Sequence, residues 1–487
     1  MIFLNPLAMK NQMKKTICFF LALSAACAAA TDPSTNLAFS GQSKLQANGG
    51  IDLRIRQQAT DHIPGHPADP EGDYPEKEAE NSNYVRFRTR VRGELEYENW
   101  KLNLRLSNEF REYLVKNGKR RDDRSYHAFD EVFFDNLYLE GKELFDGLLD
   151  IRIGRQDFYR SDRPDFGSGR LFYDGTAGDG SRSLYFDAIR LSWHLREKST
   201  LETIALWNSG RNELKLGRAE PDPHLTTELY DNDDADRDEA GAIIYWTDEA
   251  FADRLTWEMF YVYRYDPKYY RDNRRVPSLS LNTFGIRLLP SFTETLSGEF
   301  EFAAQVGKHG DGTQATGWSS FTGLIYRPDI ELSKDIKPYA RLDLQCMSGD
   351  KDFGAGHGDS AWNPLWGRSA QTSELLVLGP MSGRKSYWSN LIYPTLSAGA
   401  DFGKKHRVKA LTGPLFAMVD DGRGGGSGPY EGWLTTLRYD FPLVMRGKNG
   451  GWLDIYGHIL AEVFKPGDYY AADNLAYFLR WEISFAF

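Results

Sequence analysis

Four arginines occupy every second position of one short segment, as Arg86, Arg88, Arg90 and Arg92. A guanidinium group stays charged and can donate two parallel hydrogen bonds to a carboxylate, whereas a lysine ammonium can lose its proton where water is excluded. A row of arginines on one face therefore suits contact with a series of anionic groups. Many weak sites would let a charged solute slide along the row instead of sticking to it.

The same interpretation extends to other arginines on the polar face of predicted strands. These are Arg54, Arg56, Arg105, Arg152, Arg190, Arg341, Arg438 and Arg480, and we place Arg155 on the same solute path. Carboxylates share that face, namely Asp52, Glu94, Glu96, Glu109, Asp150, Glu258, Glu299, Glu301, Asp343, Asp440 and Glu482. Each arginine therefore has two interpretations, contact with an anionic solute or pairing with a carboxylate that braces the wall. Residues 86–92 favour solute contact most, because their own strand supplies too little acid for four cations.

Alternation with a period of two places these arginines on strands. In residues 84–97, apolar residues occupy the positions between the polar ones. The same alternation of apolar and polar residues occurs in 255–265 and in the last fourteen residues. One apolar and one polar face is typical of a transmembrane β-strand, although the strands of a soluble sandwich also alternate. Eighteen such strands are predicted, at Gly49–Gln58, Tyr84–Tyr97, Trp100–Glu112, Phe129–Glu140, Leu148–Asp157, Ser183–His194, Thr200–Asn208, Glu239–Thr247, Arg254–Tyr265, Leu279–Leu289, Ser297–Gly307, Gly317–Arg327, Lys337–Met347, Asn390–Phe402, Lys404–Gly413, Tyr430–Asp440, Gly451–Phe464 and Asn474–Phe487.

The lengths of the connections favour the membrane. The longest are 59–83, 113–128, 158–182, 209–238 and 348–389, and they alternate with short ones such as 98–99 and 195–199. Outer-membrane barrels have this asymmetry, with short periplasmic turns and longer extracellular loops. We therefore predict an all-β fold, a single transmembrane antiparallel β-barrel of about 18 strands with both termini on the turn side. Residues 348–389 are the best candidate for a lid.

The N-terminus predicts export. A basic start, a short apolar core and terminal alanines indicate a signal peptide over 1–30 that begins at Met13, with lipidation of Cys27 as the alternative. Residues 31–48 would form a short periplasmic segment and 49–487 the barrel. Without the three lysines of the signal, 56 basic residues face 69 acidic ones, a net charge of −13 that argues against nucleic acid as a partner. The 26 Tyr and 12 Trp suffice for two aromatic girdles at the membrane surfaces.

Residues for catalysis are scarce. His62 and His66 have the His-x-x-x-His spacing of a zinc site, but Pro64 between them breaks the helix that such a motif needs. The sequence contains no Gly-x-Ser-x-Gly nucleophile elbow. A barrel hydrolase with a Ser-His dyad from distant positions is the remaining enzyme alternative. We predict no enzymatic activity and no catalytic metal.

A dense acidic run precedes the eighth predicted strand. It comprises Asp231, Asp233, Asp234, Asp236, Asp238 and Glu239. Its oxygens could hold calcium, but it lacks the spacing of an EF-hand loop. We prefer a solvated loop, bridged to lipopolysaccharide by divalent ions, and expect no cofactor. The glycine-rich segment Gly422–Gly428 lacks the ending of a phosphate-binding loop and is predicted to be flexible.

Four short segments carry a resemblance to a known family. They are Ile153–Phe158, Gly169–Thr176, Asp179–Ser183 and Asp187–Leu191, with Trp362–Trp366 as a less specific fifth element. Together they resemble the signature of alginate-export outer-membrane porins. The resemblance implies a monomeric 18-stranded barrel in the bacterial outer membrane, whose arginine-rich lumen passes an anionic polysaccharide.

The resemblance also suggests roles for residues beside the connection 158–182. Arg155, Asp157, Arg170, Asp179, Arg182 and Asp187 would form part of a constriction or anchor its loop, or else belong to ordinary extracellular turns. Arg155 lies three residues from Arg152, and Asp187 three from Arg190, so strict alternation places the members of each pair on opposite faces of the sheet. Either a bulge intervenes, or one member of each pair lies above the membrane. Phe487 resembles the terminal aromatic of bacterial outer-membrane barrels, which implies the barrel-assembly machinery as a partner, beside lipid and lipopolysaccharide.

Three functions stay open at this point. The leading hypothesis is a passive, anion-selective channel for an anionic polysaccharide or uronate oligomer. An uptake porin for small anions or sugars is the second, and a structural or adhesive barrel with large loops is the third.

Overall fold

The computed structural model describes most of the chain from residue 45 onwards. The described ranges are 45–66, 77–79, 81–116, 119–120, 127–158, 185–209, 215–218, 238–252, 254–271, 274–329, 336–351, 358–366, 373–375, 389–403, 405–422, 424–445 and 453–487. The predicted signal peptide therefore lies outside the described residues, as does most of the predicted periplasmic segment.

Eighteen long strands dominate the described part of the chain. They are β1 (Leu45–Asp61), β2 (Ser82–Tyr97), β3 (Trp100–Lys116), β4 (His127–Glu143), β5 (Leu149–Gln156), β6 (Phe186–Arg196), β7 (Ser199–Asn208), β8 (Glu239–Ala252), β9 (Leu255–Asp266), β10 (Leu279–Pro290), β11 (Leu296–His309), β12 (Gln314–Tyr326), β13 (Ile336–Met347), β14 (Leu391–Phe402), β15 (His406–Phe416), β16 (Tyr430–Val444), β17 (Asp454–Pro466) and β18 (Ala476–Ala486). Every predicted strand overlaps one of them. The first begins at Leu45, four residues earlier than predicted.

Short strands and one helix lie in the connections between the long strands. They are the strands Ile63–His66, Lys77–Ala79, Lys119–Arg120, Lys215–Arg218, Tyr269–Arg271 and Arg274–Val276, and a four-residue helix, Leu144–Gly147. Among the described residues, no helix has both the length and the apolar character needed to cross a membrane.

The eighteen strands form one closed antiparallel barrel. Each pairs with the next along the chain, and β18 pairs with β1 from Asp61 opposite Tyr477 to Asp52 opposite Ala486. Closure leaves no unpaired edge, which explains how a chain with one cysteine outside its first 30 residues can be held without a disulfide. The predicted fold class is confirmed.

Side chains alternate between the two faces of the barrel wall. In β18, Tyr477, Leu479 and Trp481 are exposed on the outside, whereas Phe478 and Arg480 are buried on the inside. The whole last strand follows the predicted pattern. Because successive side chains of a strand point to opposite faces, ring closure collects the polar faces of all strands around one lumen.

Backbone hydrogen bonds join the described residues of the glycine-rich segment, which was predicted to be flexible, to a neighbouring loop on the same side of the barrel. Gly426 N donates to Tyr469 O at 3.0 Å, and Ala471 N donates to Gly424 O at 2.7 Å, which joins the segment to the neighbouring loop. A Cβ atom at Gly426 would lie 2.0 Å from Asp468 O. The glycines therefore serve a close approach of two backbones, which composition alone does not distinguish from flexibility.

Candidate functional site in the barrel lumen

One wall of the lumen, formed by β1, β2 and β3, carries an excess of arginine. Among the residues that the structure describes there, eight arginines face inward: Arg54, Arg56, Arg86, Arg88, Arg90, Arg92, Arg105 and Arg111. The inward carboxylates of these three strands are Asp52, Glu94, Glu96 and Glu109. We call this set of eight arginines the arginine wall. Arg111 was not among the arginines predicted from the sequence, although it lies two residues from Glu109 and therefore on the same face of β3.

Two carboxylates are shared among three arginines at the centre of this wall. Glu109 forms an ion pair with Arg86 and lies 3.8 Å from Nη2 of Arg54. Glu482, on β18, lies 3.6 Å from Nε of Arg54 and 3.7 Å from Nη1 of Arg56. These side chains are nearly inaccessible to solvent, so pairing and packing hold the charges inside the wall. The wall-bracing interpretation therefore applies to each of them.

Positive charge nevertheless remains in excess. Nη1 of Arg88 is buried without a hydrogen-bond partner among the described residues. Arg92, nearer the turn side, is exposed. An incompletely paired guanidinium in a region of low dielectric attracts anions strongly, since Coulomb interactions there are several times stronger than in water.

Asp135 organises the part of the same wall that lies nearer the turn side. Its carboxylate accepts hydrogen bonds from Arg105 Nε at 2.7 Å and from Ser107 Oγ at 2.7 Å, and it lies 3.4 Å from Arg90. Arg105 also donates to Asp157 at 3.1 Å. Asp135 was missed because the register of β3 and β4 shifts at this point, which brings two successive residues of β4 inward.

The facing wall, β8 to β13, has the opposite balance. Its described inward arginines are Arg264, Arg287 and Arg341, and the carboxylates that pair with them are Glu239, Glu258, Asp266, Glu299, Glu301 and Asp343. Arg287 alone contacts Glu258 at 3.1 Å and Glu299 at 2.7 Å. These pairs fit wall bracing, and Arg341, predicted on the solute path, belongs to them.

The remaining predicted arginines of the path each contact one carboxylate. Arg152 donates to Glu140 at 2.6 Å, and Arg190 Nε donates to Glu202 at 2.9 Å. Arg438 binds the carboxylate of Asp440, two residues along its own strand, in a bidentate manner. Arg480 donates to Glu374, which belongs to a loop rather than to the wall.

Arg155 departs from the prediction. The register between β5 and β6 is unbroken from Arg152 opposite Arg190 to Arg155 opposite Asp187, so this pair lies on the other face of the sheet. Arg155 donates to Asp187 at 2.8 and 2.9 Å, and its guanidinium stacks 3.9 Å from the ring centroid of Tyr185. The two residues thus join β5 to β6, and we leave Arg155 out of the proposed path.

Gly154, next to Arg155, is a position where we expect a side chain to destabilise the fold. Its φ is +123°, and an added Cβ would lie 2.4 Å from Leu137 O. We expect Gly154→Ala to lower the free energy of unfolding by about 2 kcal/mol through backbone strain and overlap. Urea unfolding in detergent micelles measures the loss. Gly312→Ala is the control, because Gly312 also has positive φ but open space around it. Wild-type stability of Gly154→Ala would contradict the assignment.

Several predicted residues lie outside the described part of the chain. These are Arg170, Asp179 and Arg182 of the suggested constriction, and Asp231, Asp233, Asp234 and Asp236 of the acidic run. Its last member, Glu239, binds Arg264 at 2.8 Å. Within the described ranges, no cluster of His, Cys, Asp and Glu has the geometry of a metal site.

The long connection between β13 and β14 enters the lumen. Trp366 Nε1 donates to Glu239 on β8 at 3.1 Å, and Arg264 on β9 donates to Leu365 O. Gln305 on β11 donates to Asn363 O at 2.7 Å. Trp366 is buried edge-on against Phe186. The family-like segment 362–366 therefore attaches this loop to β8, β9 and β11 of the facing wall.

A second part of the same loop contacts the other side of the ring. The Glu462 carboxylate on β17 accepts hydrogen bonds from Ser373 Oγ at 2.9 Å and Leu375 N at 2.8 Å. Glu374 accepts a hydrogen bond from Arg480 on β18 at 2.6 Å. In a ring of eighteen strands, β8 and β17 are diametrically opposite. The described parts of residues 348–389 hence contact strands on opposite sides of the ring, and we call them the lumen loop.

Comparison with known proteins agrees with this architecture. Residues 45–379 match the model of the alginate export family. The fold is similar to that of Acinetobacter baumannii OccAB1, with a TM-score of 0.52 and 10% identity over 92% of this chain and 98% of that chain.

Two Pseudomonas aeruginosa structures align with lower scores. OccK5 (OpdH) has a TM-score of 0.49 and 11% identity over 90% of this chain and 98% of that one. The outer membrane protein OprD has a TM-score of 0.48 and 11% identity over 92% and 95%. No curated protein sequence matches the chain. At such identities the structural likeness is one of fold, whereas the family match covers well over half of the sequence. The chain belongs to the alginate export family.

Proposed function

We propose that this protein is an outer-membrane channel that passes an anionic polysaccharide or uronate oligomer by passive diffusion. The observation that carries the proposal is the arginine wall, where eight inward arginines of β1 to β3 face four carboxylates of the same strands. A surplus of fixed cations lowers the electrostatic barrier for carboxylates inside a pore. The family to which the chain belongs supports export of such a polymer.

Solute would contact the arginines that retain accessible surface. Arg92 is exposed, and Arg105, Arg152 and Arg190 keep about a fifth of their side-chain surface accessible. The buried members would act through the field that they create. No residue is assigned a catalytic role, and we propose a channel rather than an enzyme.

An uptake porin for small anions or sugars is the second candidate. The lumen loop favours it, because its contacts with β8 and with β17 on the opposite side of the ring narrow the path that a polymer would need. A bulky chain would require the loop to move, whereas a small solute would pass beside it.

Planar-bilayer recording with added tri-galacturonate tests the two candidates. An anion-selective current that the oligomer blocks is the expected result. An anion-selective current that is indifferent to the oligomer would instead support the small-solute porin. No current at all would contradict both and favour the scaffold interpretation. Uncharged maltotriose of equal length is the control for size.

A further inference from the structure

The turn-side mouth of the barrel contains a cavity that the arginine wall does not include. It has a volume of about 870 Å³ and opens between the ends of β13, β14, β15 and β16. Five cationic side chains line it: Lys337, Lys405, Arg407, Lys409 and Arg438. Its volume lies within the range of pockets that hold drug-sized ligands.

Carboxylates balance only part of this charge. Asp401 accepts hydrogen bonds from Arg407 at 2.6 and 3.3 Å, and Asp440 pairs with Arg438 at 2.6 Å. They are the two carboxylates that line the cavity. With five cations and two carboxylates in its lining, the cavity carries a surplus of positive charge, and the two arginines join the strands β14 to β16.

Cations at the mouth are more accessible than the buried members of the arginine wall. Arg407 keeps 49% of its side-chain surface exposed, compared with 2% for Arg54. Lys337 and Lys405 are exposed as well. A solute that approaches from the turn side would consequently meet these groups before any buried guanidinium.

Lys405 is held in a defined position. Its ammonium donates to the Tyr456 hydroxyl at 2.7 Å and lies 5.0 Å from the centroid of that ring. The hydrogen bond raises the pKa of Lys405 above its usual value, so the group is charged at neutral pH. A compact ammonium on a flexible stem binds an anion as a point charge and releases it easily.

We propose that this cavity is a loading site, which binds the carboxylates of an acidic oligosaccharide at the turn-side mouth before the chain enters the lumen. The inference rests on the proposed function and adds a direction to it, because short turns are periplasmic in outer-membrane barrels. Surplus charge at a mouth raises the local concentration of an anionic solute and its association rate by tenfold or more at low salt.

Side-specific block tests the proposal. Tri-galacturonate added to the turn side should block the current with a higher association rate than from the loop side. The triple variant Lys337→Gln, Lys405→Gln, Lys409→Gln should lower the turn-side rate about tenfold at 0.1 M salt and abolish the asymmetry. Isothermal titration of the oligomer into purified protein should show weaker binding for the same variant.

Lys142→Gln is the matched control. Lys142 is an exposed lysine of the turn side that lies on β4, away from the cavity, and its replacement should leave the rate unchanged. Equal block from both sides, unaltered by the triple variant, would overturn the loading site and leave the channel proposal intact. Absence of block from either side would overturn both.

Discussion

Replacing Arg86, Arg88, Arg90 and Arg92 together by glutamine is expected to convert the channel from anion-selective to cation-selective. The substitutions remove four positive charges, so the four remaining arginines of the arginine wall face its four carboxylates and Asp135, and the local balance becomes negative. Two unit charges 4 Å apart interact by about 4 kcal/mol at an effective dielectric constant of 20. A change of at least tenfold in the permeability ratio, about 1.4 kcal/mol, is therefore a conservative expectation.

The reversal potential under a salt gradient measures this ratio and should change sign. The double variant Arg88→Gln, Arg92→Gln leaves the ion pairs of Glu109 and Asp135 intact, so it should fold normally and shift the potential by a smaller amount. A control that removes four exposed charges at strand ends and in connections is Lys142→Gln, Lys198→Gln, Arg254→Gln, Lys268→Gln. An unchanged reversal potential in both arginine variants would reject the assigned role of this segment.

Glu462→Ala is expected to release one end of the lumen loop and to increase the single-channel conductance. The buried carboxylate accepts hydrogen bonds from Ser373 Oγ, Leu375 N and Glu374 N. Each hydrogen bond contributes about 0.5–1.5 kcal/mol, and the substitution removes three of them. Their loss would shift the equilibrium between the docked and the undocked loop by about tenfold to a hundredfold.

A labelling experiment separates loop release from a simple change of charge. Leu375 is 1% exposed, so a cysteine at this position in a Cys346→Ser background should resist a charged thiol reagent and become reactive in Glu462→Ala. Glu202→Ala removes one lumen carboxylate that pairs with Arg190 and should leave the cysteine protected. Protection in both variants, together with unchanged conductance, would show that Glu462 does not hold the loop.

Local patterns predicted the barrel well. Alternation located the strands, and the contrast between short and long connections indicated the closed antiparallel topology. Both signals depend on neighbouring residues, and membrane-facing strands must obey them, because every second side chain contacts lipid. The observed bounds differ mainly at strand ends, as in β16, which continues to Val444 beyond the predicted Asp440.

The sequence predicted which kinds of residue line the lumen, but not which arginine pairs with which carboxylate. Arg54 and Glu482 are 3.6 Å apart although they come from opposite ends of the chain. Their contact exists only because β18 pairs with β1, and no local pattern encodes the register of that closure. The same reason explains why Arg264 and Arg287 were overlooked, since their roles depend on acids of adjacent strands.

Irregular strand pairing can place a side chain on the face of the sheet that strict alternation does not predict. The register shift between β3 and β4 turned Asp135 inward beside Arg105. A single extra residue in a strand reverses the facing of everything beyond it. Such shifts leave no mark on composition, so only the strand pairing reveals them.

The sequence by itself determined the strands, their number and the face on which arginine accumulates, because a side-chain period of two is a local property of the backbone. Only the tertiary structure decided which carboxylates neutralise which arginines, and which strands the described parts of the lumen loop contact. Those outcomes depend on the register of ring closure and on contacts of the lumen loop with β8 and β17, such as Trp366 with Glu239 and Ser373 with Glu462. Residues far apart in the chain meet there through geometry rather than through spacing.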